Sequence, residues 1–415
     1  MQLAKKIALP LTVIATTSVP IVLHAASTDS VSFTQMHYEE NDERIGIDFN
    51  VWDIKKDFGT DYSLGVNLSY DAISGGTPVW DSLTGGSTVA ESDVISGASP
   101  CISNDEYICK DTYENDQLLG NGGATPDDYV YRNVEIKDTR KAISTSFTIR
   151  TEKRDEISLG AAYSVEEDFA SKEVSVGYLY NMDRSRNNTI AVGVSYQEND
   201  AYHYREDTWK DFNIVNFQIG YTHTVSKKTV AQLNFFTIRQ NGELSNPYQT
   251  IIRKVEVSKE GDPTYSKFYL AKEKRPDVKS SSGITADISS KVLDNVALHG
   301  YYRLYNDNWG VVSNTVTVNA YIDMGNKWTL APLVRYYKQS GSDFYKDHKD
   351  SDNIFNETDY GSADERLSEF DSITYSLGLE KEIKKGIKVK GAYVNSYQSF
   401  GLQMNWLYAG VKIDL

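Results

Sequence analysis

Two cysteines, Cys101 and Cys109, make up the whole thiol complement of this 415-residue chain. No C-x-x-C spacing or helix start accompanies them, so nothing marks a lowered thiol pKa, and two cysteines alone cannot complete a zinc site. Downstream of an export signal they meet an oxidising compartment, and the expected chemistry is a disulfide stapling their loop, with a redox-active pair as the alternative. A second set is acidic. Asp347, Asp350, Asp352, Glu357 and Asp359, followed by Asp364 and Glu365, crowd one segment. Hard divalent cations take oxygen ligands, so this is a candidate Ca2+ loop, although no EF-hand spacing is present and a solvated charged loop is the competing reading. A third set is dispersed: Arg239, Arg303 and Arg335, with Asp48, Asp71, Glu166, Asp287 and Asp323 on strand faces expected to point inward. Within a barrel such lumen charges either set the selectivity of a pore or lock a plug through internal salt bridges. No catalytic set emerges. His24 precedes the mature chain, His37, His203, His223, His299 and His348 are scattered, and G-x-S-x-G and H-E-x-x-H are absent, so no enzyme is expected. Apart from Ca2+ in a loop, no cofactor is implied.

The elements that must position these residues are strands. Tyr62, Leu64, Val66, Leu68 and Tyr70 alternate with Ser63, Gly65, Asn67, Ser69 and Asp71. Ile157, Leu159, Ala161, Tyr163 and Val165 repeat the pattern, as do Ile190 to Tyr196, Val215 to Tyr221 and Ile373 to Leu379. Period-two alternation over segments of about ten residues marks a transmembrane β-barrel, with a soluble sandwich as the rival. The small polar residues between the apolar ones favour a wet, curved lumen over a solvated outer face. Strands are predicted at 31–39, 43–53, 60–72, 134–151, 156–167, 171–181, 188–198, 211–224, 228–240, 281–290, 294–305, 312–323, 327–338, 370–382, 386–397 and 403–415. Connections after even strands are short, as at Ile54–Gly59, Val225–Lys227 and Ile383–Lys385. Every long one, 73–133, 199–210, 241–280 and 339–369, follows an odd strand. Short periplasmic turns opposite long external loops are what outer-membrane barrels show. The expected fold is all-β: an up-and-down antiparallel barrel of sixteen strands, in which 31–39 is either the first strand or a periplasmic lead-in.

Bulk properties agree. Lys5 and Lys6, the apolar stretch Ile7–Leu23 and a cleavage site at Leu23-His24-Ala25, ending on a small residue, mark an expected signal peptide over 1–25, leaving 26–415 as one barrel. The remaining chain holds no apolar run long enough for a spanning helix, so membrane crossing requires a closed barrel. Tyrosine is abundant, 29 residues against 14 Phe, as suits rings at a membrane interface. Losing Lys5 and Lys6 takes the formal charge from −15 to −17, which excludes nucleic acid as a partner. The final residues alternate as a strand but end on Leu415, where outer-membrane barrels usually end on an aromatic residue.

Several phrases resemble the domain-of-unknown-function 3570 family of bacterial outer-membrane proteins. They are Tyr70-Asp71-Ala72-Ile73-Ser74-Gly75-Gly76-Thr77-Pro78, Ser96-Gly97-Ala98-Ser99-Pro100 and Tyr163-Ser164-Val165-Glu166-Glu167-Asp168-Phe169, then Gln240-Asn241-Gly242-Glu243-Leu244-Ser245-Asn246-Pro247-Tyr248. Tyr302-Arg303-Leu304-Tyr305-Asn306-Asp307-Asn308-Trp309-Gly310, Arg335-Tyr336-Tyr337-Lys338-Gln339, Asp343-Phe344-Tyr345 and Arg366-Leu367 complete the set. The resemblance implies an outer-membrane barrel and a weak link to exported redox proteins.

The functional expectation is a passive pore for small polar solutes, or else a plugged barrel that docks an exported partner, with redox proteins among the candidates. Lipid, lipopolysaccharide and the barrel assembly machinery are the partners that the location itself implies.

Overall fold

A computed structural model describes residues 29–42, 44–82, 126–204, 206–257 and 264–415. The expected signal peptide and the expected disulfide, Cys101 and Cys109, lie outside the described residues. The chain is almost entirely strand. In order these are β1 (Ser30–Glu40), β2 (Gly46–Phe58), β3 (Tyr62–Ser82), β4 (Tyr129–Arg150), β5 (Glu156–Val165), β6 (Phe169–Asn181), β7 (Asn188–His203), β8 (Thr208–Ser226) and β9 (Thr229–Gly242). Then follow β10 (Thr250–Val257), β11 (Tyr265–Lys272), β12 (Val278–Leu293), β13 (Val296–Asp307), β14 (Val312–Gly325), β15 (Trp328–Gln339), β16 (Ile354–Asn356), β17 (Phe370–Lys384), β18 (Ile387–Gln398) and β19 (Gln403–Asp414).

Sixteen of these strands close into one antiparallel barrel, in which β1 pairs with both β2 and β19. Residues 31–39 therefore belong to the strand that seals the cylinder and are no lead-in. β10, β11 and β16 form a separate three-stranded sheet inside the two long loops. Among the described residues no helix is long and apolar enough to cross a membrane.

Period two decides which side chains face out. Leu68, Tyr70, Leu159, Tyr163, Val174, Val176, Ile284, Ile288, Val318 and Leu377 are exposed on the outer face, while their neighbours Ser69, Asp71, Ser171 and Ser195 are buried inside. Seven short turns gather at one rim, and the β14–β15 turn places both Asn326 and Lys327 at positive φ (51° and 65°), the geometry that matches strand twist in two-residue hairpins.

The long-loop rim corrects several boundaries. β3 runs on to Ser82 and β4 starts at Tyr129, so 73–82 and 129–133 are strand and not part of the loop 73–133. The proposed loop 199–210 is mostly strand as well, with β7 and β8 joined across 204–207. In both places pairing continues beyond the apolar band, where alternation no longer marks it. Gly75, which the bounds 73–133 put in a loop, sits inside β3 at φ 115°; a Cβ there would lie 1.8 Å from the Arg44 carbonyl oxygen, so only glycine lets the β1–β2 turn lie against this strand.

Candidate functional site

The barrel mouth on the long-loop side is filled by its own loops. Tyr248, in the β9–β10 connection, packs among Met36, Tyr38, Ile47, Phe49, Ile73 and Ile136 from the inner faces of β1 to β4, together with Leu402 and Met404. Its ring also lies 5.9 Å from that of Tyr204 in the β7–β8 turn, so one side chain links walls six strands apart. The small sheet seals another sector. Ile251, Ile252, Leu270 and Phe355 pack with Trp80 and Tyr129 of the β3–β4 extension, and Thr250 Oγ1 donates to Trp80 O at 2.5 Å. In a third cluster Leu244 and Leu367 meet Trp309 of the β13–β14 turn.

Charged groups lock the two loops together. Glu273 is 0% exposed. It accepts from Asn246 N and from Ser362 Oγ, the latter at 2.5 Å, and pairs with Arg275 Nε at 2.6 Å. The Arg275 Nη2 reaches Asp364 at 2.8 Å, and Asp364 also pairs with Arg366. Burial works against the Arg275 charge, but Glu273 and Asp364 hold its pKa above the ordinary range. Arg44, in the β1–β2 turn, reaches Glu365 at 2.9 Å, and Lys272 reaches Glu206 at 3.0 Å and Glu243 at 3.2 Å. The cap is thus tied to opposite sides of the wall.

Below the cap the lumen is polar. Toward the short-turn rim, inward side chains such as Asp53, Tyr321 and Lys390 are exposed, in contrast to the dry inner wall beside Tyr248. Arg303 and Arg335 point inward on β13 and β15, opposite Thr315 and Thr317 of the intervening β14. The Arg303 guanidinium lies 5.0 Å from the ring centres of both Phe236 and Tyr305, and Arg335 lies 5.9 Å from that of Tyr337. Asp287 also faces the lumen, with an oxygen 3.3 Å from His299 Nε2. Asp71 is buried in an ion pair with Arg140. Asp323 lies at the short-turn rim, where its Oδ1 accepts from Gly325 N at 2.9 Å and stabilises the turn.

Two expected lumen charges point the other way. Asp48 pairs in register with Ala72 and shares the outer face with Trp52 and Ile54; its Oδ1 lies 2.8 Å from His37 Nδ1. The inner face here is apolar because Ile47, Phe49 and Val51 pack in the cluster around Tyr248, which inverts the usual pattern. Arg239 lies beside the outward Val215 and donates to Asn241 at 3.1 Å, because Phe236 and Ile238 take the inward phase of β9. Glu166 does face inward, but from the β5–β6 turn beyond the end of β5.

The acidic residues of the 340–369 loop do not converge. Asp347 Oδ1 accepts from Lys349 N at 2.9 Å, and Asp352 pairs with Lys346 at 3.3 Å. Asp350 donates its N–H to Asp347 O, and Asp359 Oδ2 accepts from Asn356 at 2.8 Å. Glu357 and Asp359 offer their main-chain oxygens to Arg253, at 3.1 and 3.0 Å. The donor cluster among the described residues is instead Asp138, Glu166 and Asp168, all buried. Burial and the neighbouring Asp138 push the Asp168 carboxyl up to about 7. Asp138 and Asp168 were not singled out in the sequence, although the acidic run Glu166-Glu167-Asp168 between two short strands is a visible signal.

No curated protein matches the sequence. Solved barrels resemble it in outline. A bacterial polysaccharide outer membrane secretin is 4% identical, with 94% of this chain and 98% of that one covered at a TM-score of 0.47. Pseudomonas aeruginosa OpdK with vanillate is 10% identical at a TM-score of 0.40, covering 94% and 98%. The siderophore receptor PirA from Pseudomonas aeruginosa is 8% identical at 0.39; 90% of this chain is covered, and it spans 56% of that longer one. A family model matches residues 4–413, almost the whole barrel and every group described above, and the chain belongs to that family, described as a protein of unknown function, DUF3570.

Proposed function

We propose that this protein is a capped barrel of the bacterial outer membrane that docks an exported partner, closed at rest to solute flow and without a catalytic role. The observation that carries this reading is the cap: two loops joined through the buried Glu273–Arg275–Asp364 set span the long-loop mouth. The rim of short turns is read as periplasmic, and on that side the polar lumen forms a vestibule where an exported protein can meet the barrel. Conductance of the purified protein in planar bilayers tests it. The expected trace stays near the bare-membrane baseline; steady, long-lived steps in the unmodified protein would overturn the closed reading.

A second reading, a pore for small polar solutes, is favoured by one observation. Arg303 and Arg335 project into the lumen from alternate strands, which stand about 10 Å apart, and their guanidinium groups lie over aromatic rings. With the cap displaced, such a wall draws anions.

A further inference from the structure

The β5–β6 turn brings Glu166 and Asp168 against Asp138 of β4, so that one oxygen from each of three carboxylates lies within 4.8 Å of the others. Asp138 is 4% exposed and Asp168 3%. One oxygen of each has a partner. Asp138 Oδ1 accepts from Thr139 N at 2.6 Å, and Asp168 Oδ2 accepts from the Tyr204 hydroxyl at 3.2 Å. Their other oxygens, Asp138 Oδ2 and Asp168 Oδ1, are buried and have no donor outside the cluster, where the two carboxyl groups face each other. Arg140, two residues along the inner face of β4, is committed to Asp71. Buried carboxylate oxygens without donors are costly unless a cation faces them.

We propose that Asp138, Glu166 and Asp168 bind one Ca2+ ion at the long-loop rim of the barrel. An all-carboxylate donor set suits a hard cation, whereas zinc and the later transition metals prefer nitrogen or sulfur ligands. Calcium holds its oxygens at about 2.4 Å, so ligands on opposite sides of one ion stand roughly 4.8 Å apart, a spread these three side chains satisfy. Magnesium demands a tighter octahedron and keeps several waters, for which a buried set of carboxylates leaves less room.

The ion would also bear on the cap. Asp168 holds Tyr204 through its carboxylate and Tyr202 N through its main-chain oxygen at 2.8 Å, and the Tyr204 ring meets Tyr248. A cation therefore fastens the β5–β6 and β7–β8 turns to the residue that fills the mouth. This last step rests on the capped reading; the binding site does not.

The full-length barrel, purified in detergent and stripped with EGTA, is titrated with Ca2+ and, separately, with Tb3+, whose emission neighbouring tyrosines sensitise. Heat-modifiable migration on gels confirms that each variant is folded. One equivalent of Ca2+ is expected, with affinity at least tenfold weaker in Asp138→Asn and Asp168→Asn and unchanged in Asp350→Asn/Asp352→Asn. Tyr204→Phe leaves all three carboxylates in place and should lower terbium emission severalfold while uptake persists, which locates the ion even if an aspartate variant does not fold. No uptake by the unmodified protein, the result for carboxylates that merely share a proton, overturns the site. So does uptake that survives both aspartate substitutions, or terbium emission indifferent to Tyr204→Phe. Loop proteolysis with and without Ca2+ reports the link to the cap separately, so that failure of the capped reading leaves the binding result intact.

Discussion

At the scale of single residues, the cap depends on charge taken out of water. Removing one member of a buried ion pair strands the other and typically costs about 3–5 kcal/mol, more than the pair contributes relative to a neutral core. Arg275→Met strands the fully buried Glu273 and leaves Asp364 to Arg366, so the variant should lose its cap while the barrel stays folded. The checks are faster proteolysis of the 243–277 and 340–369 segments on intact cells and unchanged heat-modifiable migration. Collapse of the whole barrel would show that the cap is part of the wall's stability. The lumen arginines behave differently, because they are half-buried against aromatic rings. Arg303→Gln/Arg335→Gln should leave stability nearly unchanged, and in the Arg275→Met background should shift the reversal potential toward cations. An unchanged potential in a conducting barrel would remove these side chains from the solute path.

At the scale of elements, strand order makes the topology testable. An epitope inserted near Asp350 should be reachable on intact cells, and one near Lys227 or Lys385 only after the outer membrane is breached. Labelling of the Lys227 site from outside would reverse the assigned orientation. The order itself was legible because β3 and β5 keep one face apolar against lipid and the other small and polar against water. The strands that misled did so for a physical reason. On β2, Ile47, Phe49 and Val51 face a dry cap while Trp52 and Ile54 face lipid, so both faces are apolar and the phase of Asp48 cannot be counted. On β9, Phe236 turns inward beneath Arg303, and Arg239 was read into the wrong phase. The candidate cation cluster was less visible still. Asp138 lies on one strand and Glu166 and Asp168 in the turn beyond the next, and only the β4–β5 register sets them side by side. The cap network likewise joins residues about 90 positions apart, which no local pattern encodes.

For the molecule as a whole, the seam is the feature with the widest reach. β1 pairs with β19 from Ser30 opposite Asp414 to Glu40 opposite Met404, and Leu415 N donates to Asp29 O at 2.8 Å. The two halves of that seam are synthesised at opposite ends of the run, so no part-finished chain can be a smaller closed version of the product. Until the last strand arrives, everything before it is a curved sheet with two open edges, the most aggregation-prone form a strand protein can take. Contacts of such long range are also slow to find. Deleting 403–415 should therefore yield no folded species at all, seen as loss of heat-modifiable migration and rapid degradation in the periplasm, whereas a folded fifteen-strand product would mean that β18 can seal against β1. Time thus enters the design: one edge of β1 has to be kept unpaired until its partner is made, and the decision to fold is deferred until β19 is delivered.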